Sequence, residues 1–404
     1  MTKFFKALIS SLLILIVSIM SVSAVTVSSE CDISDINVPI DTAVSNAAIG
    51  QTLDIKAKSV ILMEPKTKTV LYESQSDEKL APASITKIMS LLLIMEAIDR
   101  KDISLETVVT ASEHACSMGG SQIWLEPNET MTVDELLKAT VIASANDACV
   151  ALGELGAGSE EGFVAQMNKR AKELGMNNTT FINCTGLDAD GHLTSAHDVA
   201  IMSSELLKHP LIKDYSTVWM DTLRDGKSEL VNTNKLVRFY KGTTGLKTGT
   251  TGTAGYCLSA TAERDGMELV AVVMAGDTSN DRFNGAKKLL DYGFANYSFF
   301  EIEADLKDNK AIDIKKGVAK NVGIEADGKL DLLLPKSEAK DITQKLKLKE
   351  NVTAPVKKGD SLGECEIFVG GKSAGSVNIV AKEDVQRLNL WITFKWILNG
   401  LLTL

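Results

Sequence analysis

Hydrophobic and polar positions alternate in two short segments near residue 60, and a helical pattern replaces them soon afterwards. The apolar runs Val60–Met63 and Val70–Tyr72 flank a polar segment that contains proline, which predicts two strands joined as a hairpin. From about Ser84 to Asp99 the chain is dense in Ile, Met and Leu, which predicts a strong helix. Helical patterns dominate from there to about Lys208.

A second group of strands follows the helical stretch. Three strands are predicted, at Gly245–Thr250, Gly255–Glu263 and Glu268–Ala275. Leu269–Met274 is apolar at every position, so both faces of that strand should be covered, and a helix near Arg282–Asn296 could cover one of them. Strands at both ends with helices between them indicate one α/β domain over residues 50–300, a sheet flanked by helices with a helical insert.

The pattern changes again after residue 305. Short alternating segments are separated by pairs of turn-forming residues, namely Lys316-Gly317, Asp327-Gly328, Lys358-Gly359 and Gly370-Gly371. Such pairs are typical of hairpins, so residues 301–385 are predicted to form a small β-rich domain.

The N-terminal segment has the pattern of a secretory signal. Lys3 and Lys6 precede an apolar run from Ala7 to Met20, and small residues lead to Ala24. We interpret residues 1–24 as a signal peptide, with an uncleaved membrane anchor as the alternative, and residues 25–49 as a poorly ordered leader.

The C-terminal segment 386–404 is amphipathic. At the helical period, one face collects Leu390, Trp391, Phe394, Ile397, Leu398, Leu401 and Leu402. This pattern favours a helix that lies in the membrane interface, and the alternative is a terminal helix docked on the protein's own core. Together the two chain ends predict an exported protein on the outer face of the cytoplasmic membrane.

Composition excludes several function classes. The formal net charge is −10 and no basic stripe is visible, which argues against nucleic acid as a partner. The six cysteines and four histidines lack metal-ligand spacing, so no metal or cofactor is implied. We expect free, mostly buried thiols, and solvated or capping histidines instead of a Ser-His-Asp triad.

Three short motifs together carry a candidate chemistry. Ser84 and Lys87 lie three apart at the start of a predicted helix, where a desolvated lysine can take the proton of a serine nucleophile. Ser144-Ala145-Asn146 follows, and Lys247-Thr248-Gly249 lies on a predicted strand. Each motif alone is weak, but all three in this order, each in a fitting element, form a strong signal.

With these motifs the sequence resembles the serine-type D-alanyl-D-alanine carboxypeptidases, the low-molecular-weight penicillin-binding proteins. The resemblance covers about residues 50–385 and includes Gly186–Gly191 (GLDADG). It implies a transpeptidase-like domain with an antiparallel sheet. It also implies that the substrate is a peptidoglycan stem peptide ending in D-Ala-D-Ala, and that β-lactam antibiotics inhibit the enzyme.

The resemblance also implies a role for each motif residue. Ser84 would be acylated with Lys87 as its general base, and Ser144 would relay protons toward the leaving amine. Asn146 would hold the substrate amide and orient the lysine. The backbone N–H groups of Ser84 and Thr250 would form the oxyanion hole.

Further implied residues bind the substrate. Lys247 would supply positive charge, Thr248 would help to bind the terminal carboxylate, and Gly249 belongs to the same binding strand. Arg282 is the residue that matches the family's carboxylate-binding arginine, with a surface arginine at a helix start as the alternative. The sequence departs from the family at Thr250, where relatives often have histidine, which leaves substrate preference open.

Two rival functions remain open at this point. A class A β-lactamase needs a glutamate for deacylation, and residues 177–187 contain none. A non-catalytic β-lactam or cell-wall sensor would carry a spanning helix and a signalling domain, neither of which the sequence shows. Transfer of the acyl group to an amine instead of water also remains open.

Overall fold

The computed structural model of the protein describes residues 50–306, 310–338 and 341–395. Its strands are β1 (Ser59–Glu64), β2 (Thr69–Ser74), β3 (Val108–Thr110), β4 (Thr130–Thr132), β5 (Met220–Leu223), β6 (Ser228–Val231), β7 (Thr243–Thr251), β8 (Gly255–Arg264), β9 (Met267–Gly276), β10 (Tyr297–Ile302), β11 (Ala311–Lys315), β12 (Asn321–Asp327), β13 (Leu330–Pro335), β14 (Ile342–Leu348), β15 (Val352–Thr353), β16 (Ser361–Val369) and β17 (Lys372–Ala381). Its helices are α1 (Lys87–Asp99), α2 (Glu113–Cys116), α3 (Val133–Ile142), α4 (Asn146–Ala157), α5 (Glu160–Glu173), α6 (Ala196–Leu206), α7 (Ile212–Ser216), α8 (Leu236–Phe239) and α9 (Ser279–Asn296).

Five strands form one antiparallel sheet in the order β2-β1-β9-β8-β7. The predicted hairpin is β1 with β2, and the three strands predicted after residue 240 are β7, β8 and β9. Because β1 also pairs with β9, the two ends of this region meet in the middle of the sheet. The predicted α/β fold with an antiparallel sheet is confirmed.

The two faces of this sheet are covered by different layers of helices. Side chains alternate between the faces of a strand, so in β9 Leu269 and Ala271 join the apolar cluster that contains Leu289 of α9. Val270 and Val272 point the other way, into the larger cluster of the helical insert. Burial on both sides explains why this strand is apolar throughout.

The β-rich part begins as soon as α9 ends. Its six-stranded sheet has the order β14-β16-β17-β12-β11-β15, and β10 pairs with β13. Val322, Leu362 and Ile379 lie in its own apolar core. The first strand starts at Tyr297, a few residues before the predicted boundary at residue 301.

The helix predicted from Ser84 begins differently from the prediction. Ala83–Thr86 forms a 3-10 turn, and the α-helix starts only at Lys87. The expectation for the thiols is confirmed within the described residues, where five cysteines are free and four of them are buried.

Both predicted end segments lie mainly outside the described residues. The signal peptide and the leader fall in residues 1–49, and the C-terminal helix is described only over residues 390–395. Among the described helices, none combines the length and the apolar character that a membrane-crossing helix requires.

Candidate active site

Ser84 lies in the 3-10 turn before α1, and its side chain faces Lys87. Residues three apart lie on the same side of such a turn, and the distance from Lys87 Nζ to Ser84 Oγ is 3.1 Å. Ala83, directly before the serine, has a φ of 48°, which is uncommon for a residue with a side chain. The turn therefore presents the serine to the lysine by way of an unusual backbone conformation.

Lys87 is fully buried and has three polar neighbours. Besides Ser84 Oγ, its Nζ lies 2.5 Å from Asn146 Oδ1 and 2.8 Å from the Thr185 carbonyl oxygen. Burial lowers the pKa of Lys87, because the charged form loses its hydration. A neutral amine has two N–H groups and one lone pair. The two acceptor oxygens use the N–H groups, which leaves the lone pair for the serine hydroxyl.

Ser144 lies in the short turn between α3 and α4, and Asn146 is the first residue of α4. Asn146 Nδ2 donates to the Gly119 carbonyl over 2.6 Å, which fixes its Oδ1 toward Lys87. Ser144 has a φ of 64° and is buried, and within the described chain no hydrogen bond reaches its hydroxyl. The Thr185 and Gly119 carbonyls act through backbone atoms, so no side-chain motif in the sequence could reveal them.

Strand β7 forms the opposite wall of the site. A Cβ atom at Gly249 would lie only 2.9 Å from Ser84 N, so glycine lets the strand approach the serine turn closely. Thr248 Oγ1 donates to Thr233 Oγ1 over 2.7 Å. Lys247 is buried, and its Nζ donates to the Thr248 carbonyl.

Two basic side chains, Lys247 and Arg282, lie along this wall. Burial, followed by the charges of Lys87 and Arg282, holds the pKa of Lys247 well below its usual range. Arg282 donates from Nη1 to Thr250 Oγ1 over 2.8 Å and to the Gly249 carbonyl over 3.1 Å. It is only 8% exposed, so the alternative of a surface arginine is wrong.

Arg282 has spare hydrogen-bonding capacity. Its Nε is buried without a partner, and burial lowers its pKa to about 10. No carboxylate within the described residues pairs with it. A buried guanidinium in this state is suited to receive an anion.

The loop over residues 183–193 packs against the serine turn and contacts Lys87 through the Thr185 carbonyl. Gly186 has a φ of 89°, and a Cβ atom there would lie 1.8 Å from the Ala83 carbonyl oxygen. Asn183 Oδ1 accepts the N–H groups of Thr185 and Gly186. Between this loop and Ala81–Ala83 lies a cavity of about 310 Å³.

His192 in this loop is buried, so its predicted solvated or capping role is wrong. The Ile182 N–H donates to Nδ1 over 3.0 Å, which places the proton of the neutral ring on Nε2, 2.9 Å from Thr86 Oγ1. Burial lowers the pKa of His192 from 6.5 to about 4. The ring therefore joins the loop to the serine turn in its neutral form.

This histidine predicts a pH-dependent loss of stability. Between pH 6.5 and 4, His192 is protonated in the unfolded chain but remains neutral in the folded chain. The free energy of unfolding therefore falls as the pH falls through this window. We expect the free energy of unfolding to drop by about 2–3 kcal/mol more in the wild type than in His192→Asn between pH 7 and 4.5. Urea unfolding at both pH values measures the difference. Equal pH dependence of the two proteins would contradict the prediction.

Comparisons with known proteins identify the family of the chain. Residues 43–278 match the D-alanyl-D-alanine carboxypeptidase family, and residues 300–387 match the C-terminal domain of penicillin-binding protein 5. The chain is 45% identical to D-alanyl-D-alanine carboxypeptidase DacF of Bacillus subtilis, covering 84% of this chain and 88% of that protein. It is 34% identical to DacC of Escherichia coli, covering 82% and 85%.

Solved structures show the same likeness. Penicillin-binding protein 5 from Haemophilus influenzae superposes with a TM-score of 0.71 at 29% identity, covering 83% of this chain and 99% of that chain. Penicillin-binding protein D2 from Listeria monocytogenes, in its ampicillin-bound form, gives a TM-score of 0.55 at 32% identity, covering 60% and 100%. The chain thus belongs to the D-alanyl-D-alanine carboxypeptidases, serine peptidases of the low-molecular-weight penicillin-binding type.

Proposed function

We propose that Ser84 forms the acyl-enzyme of this carboxypeptidase and that Lys87 takes its proton. The observation that carries the proposal is the arrangement around Lys87 Nζ, where Asn146 and the Thr185 carbonyl leave the lone pair facing Ser84 Oγ. Ser84 Oγ attacks the carbonyl carbon between the last two D-alanines while its proton passes to the lysine. The N–H groups of Ser84 and Thr250 stabilise the oxyanion.

The tetrahedral intermediate then collapses. The C–N bond breaks as Ser144, whose hydroxyl has no competing partner in the described chain, passes the proton from Lys87 to the leaving nitrogen. D-Alanine departs and an ester remains on Ser84. Lys87 then deprotonates a water molecule, which attacks the ester carbonyl carbon. As the bond to Ser84 Oγ breaks, the lysine returns the proton to that oxygen and the shortened peptide leaves.

An excess of cationic groups supports recognition of the substrate's terminal carboxylate. Lys247 and Arg282 share the β7 wall, and no carboxylate within the described residues pairs with the arginine. A bound carboxylate would restore the charge on Lys247 and occupy the free Arg282 donors. Thr248 and Gly249 line the same strand beside the serine.

We assign the substrate as a peptidoglycan stem peptide that ends in D-Ala-D-Ala, and β-lactams as inhibitors that acylate the same serine. The ampicillin-bound Listeria relative supports the second assignment. The relatives do not favour a β-lactamase or a sensor.

Release of D-alanine tests the proposed function. The wild type should liberate D-alanine from a synthetic peptide ending in D-Ala-D-Ala and none from its L-Ala-L-Ala analogue, and Ser84→Ala should be inactive on both. Added D-amino acids report transfer to an amine through new peptide products. Release by Ser84→Ala at the wild-type rate would refute the role of the serine.

We further propose that the protein is exported and that its C-terminal segment binds a membrane surface. Leu390, Trp391 and Phe394 are exposed at 91%, 64% and 54% at the start of the last helix, and the two aromatic rings stack 5.9 Å apart. Exposed large apolar side chains on one helix are typical of interfacial binding.

Removal of this helix should release the protein from lipid while sparing activity. The Leu388 N–H donates to the Lys316 carbonyl, and Arg387 forms an antiparallel β-bridge with Gly317. The chain should therefore be truncated after Leu388, so that these backbone contacts are kept. We expect the truncated chain to stop sedimenting with anionic lipid vesicles and to keep its rate on soluble peptide. Undiminished sedimentation would rule out the helix as the anchor.

A further inference from the structure

Trp124 is an exposed aromatic residue in an uncommon backbone conformation. It lies in the segment between α2 and β4, where its side chain is 60% exposed and its φ is 59°. Bulky residues rarely adopt a positive φ, and such conformations persist only where the surroundings impose them. They occur preferentially where a protein contacts a ligand.

The surroundings of Trp124 fix its backbone from both sides. The buried Asp147 carboxylate accepts the N–H groups of Ile123 and Leu125, over 3.1–3.2 Å and 3.1 Å. Arg224 donates to the Ile123 carbonyl over 2.9 Å and to the Trp124 carbonyl over 3.3 Å. Thus hydrogen bonds hold the backbone on both sides of the tryptophan, while the residue itself remains largely exposed to solvent.

Arg224 is itself held in place. Its Nε and Nη2 bind the two carboxylate oxygens of Glu129, over 2.7 and 3.0 Å. A two-pronged pair of this kind fixes orientation as well as position. The hydrogen bonds that hold the backbone at Trp124 therefore do not involve its indole ring.

This loop adjoins the candidate active site. The carbonyls of Gly119 and Ser121 accept the side-chain and backbone N–H groups of Asn146, over 2.6 and 2.7 Å. Trp124 follows Ser121 by three residues, so it lies within about 10 Å of it along the chain. The loop contacts the start of α4 through Gly119 and Ser121, whereas Arg282 contacts strand β7, the opposite wall of the site.

We propose that Trp124 is a specificity-determining residue that contacts the acyl side of the substrate, the part that precedes the scissile bond. The inference rests on the proposed function, which assigns the terminal carboxylate to the Arg282 wall. The other wall is then left for the acyl part. An indole face favours aliphatic, aromatic and cationic groups. The group that Trp124 contacts would therefore be a side chain of this kind in the acyl part of the substrate.

Two β-lactams that differ only on the acyl side test this inference. Benzylpenicillin carries a phenylacetyl group, and 6-aminopenicillanic acid has the same nucleus with a bare amine. We expect Trp124→Ala to lower the second-order acylation rate constant for benzylpenicillin by about tenfold, the contribution of one aromatic contact. The constant for 6-aminopenicillanic acid should stay within about twofold, and Trp124→Phe should retain most of the benzylpenicillin rate.

A control variant and the pattern of rate losses distinguish substrate contact by Trp124 from a general effect on the site. Phe239→Ala, which removes a similarly exposed ring (51%) outside this loop, should change neither rate. Equal losses with both compounds would mean a general disturbance of the site, and no loss with benzylpenicillin would place Trp124 outside substrate binding. Either result overturns the inference and leaves the proposed function intact. Absence of any wild-type adduct would instead overturn the proposed function.

Discussion

Replacement of Lys87 by methionine is expected to slow acylation of Ser84 by about 10³-fold, the contribution of a positioned general base. The methionine fills a similar volume and removes a buried amine that has no ion pair within the described residues. The fold should therefore persist, with a melting temperature lowered by a few degrees because the Asn146 and Thr185 oxygens lose their donor. Single-turnover acylation by benzylpenicillin measures the loss. A decrease of less than about tenfold would exclude Lys87 as the base.

The pH dependence of wild-type activity is a second test of Lys87 as the general base. Because only the neutral amine can accept a proton, kcat/KM for D-alanine release should rise with pH through the lowered pKa of Lys87. A rate that falls over this range would mean that the charged form is active. The methionine variant should lose this rise.

Replacement of Gly186 by alanine is expected to damage both folding and activity. The new methyl group would lie 1.8 Å from the Ala83 carbonyl oxygen, at the turn that positions Ser84. Either the loop or the serine turn must move, because both partners at this contact are backbone. We expect a loss of about 3 kcal/mol or more in the free energy of unfolding, and acylation slowed by at least about 100-fold.

Gly191→Ala is the matched control for this substitution. Gly191 lies in the same loop with a φ of 80°, close to the 89° of Gly186, but no atom lies within 4 Å of its added Cβ. This variant should lose only about 1 kcal/mol through its backbone conformation, with nearly unchanged acylation. Chemical unfolding and acylation rates of both variants separate the collision from the effect of φ. Equal losses would show that the collision is not the cause.

Sequence patterns predicted those parts of the fold that depend on local periodicity. The apolar run Leu269–Met274 indicated a doubly covered strand, and β9 lies between β1 and β8 with both faces buried. Motif order indicated the partners Ser84, Lys87 and Asn146, and the structure brings their side chains into contact. Their catalytic roles remain proposals that the experiments above address.

Other features depend on contacts between distant residues that a single sequence does not reveal. His192 meets Thr86, 106 positions away, and nothing near it in the chain signals its burial. The Thr185 and Gly119 carbonyls hold Lys87 and Asn146 through backbone oxygens, which every residue possesses. The 3-10 turn at Ser84 packs against Gly249 of a distant strand, whereas the local pattern alone favours a continuous helix.

Covalent labelling of Ser84 tests the central claim most directly. Intact-protein mass spectrometry after incubation with benzylpenicillin, followed by peptide mapping, locates the bound group. We predict one penicilloyl group per chain, on the peptide that contains Ser84, and an unmodified Ser84→Ala variant. An unmodified wild type, or an adduct that persists in Ser84→Ala, would contradict the assignment of Ser84 as the nucleophile.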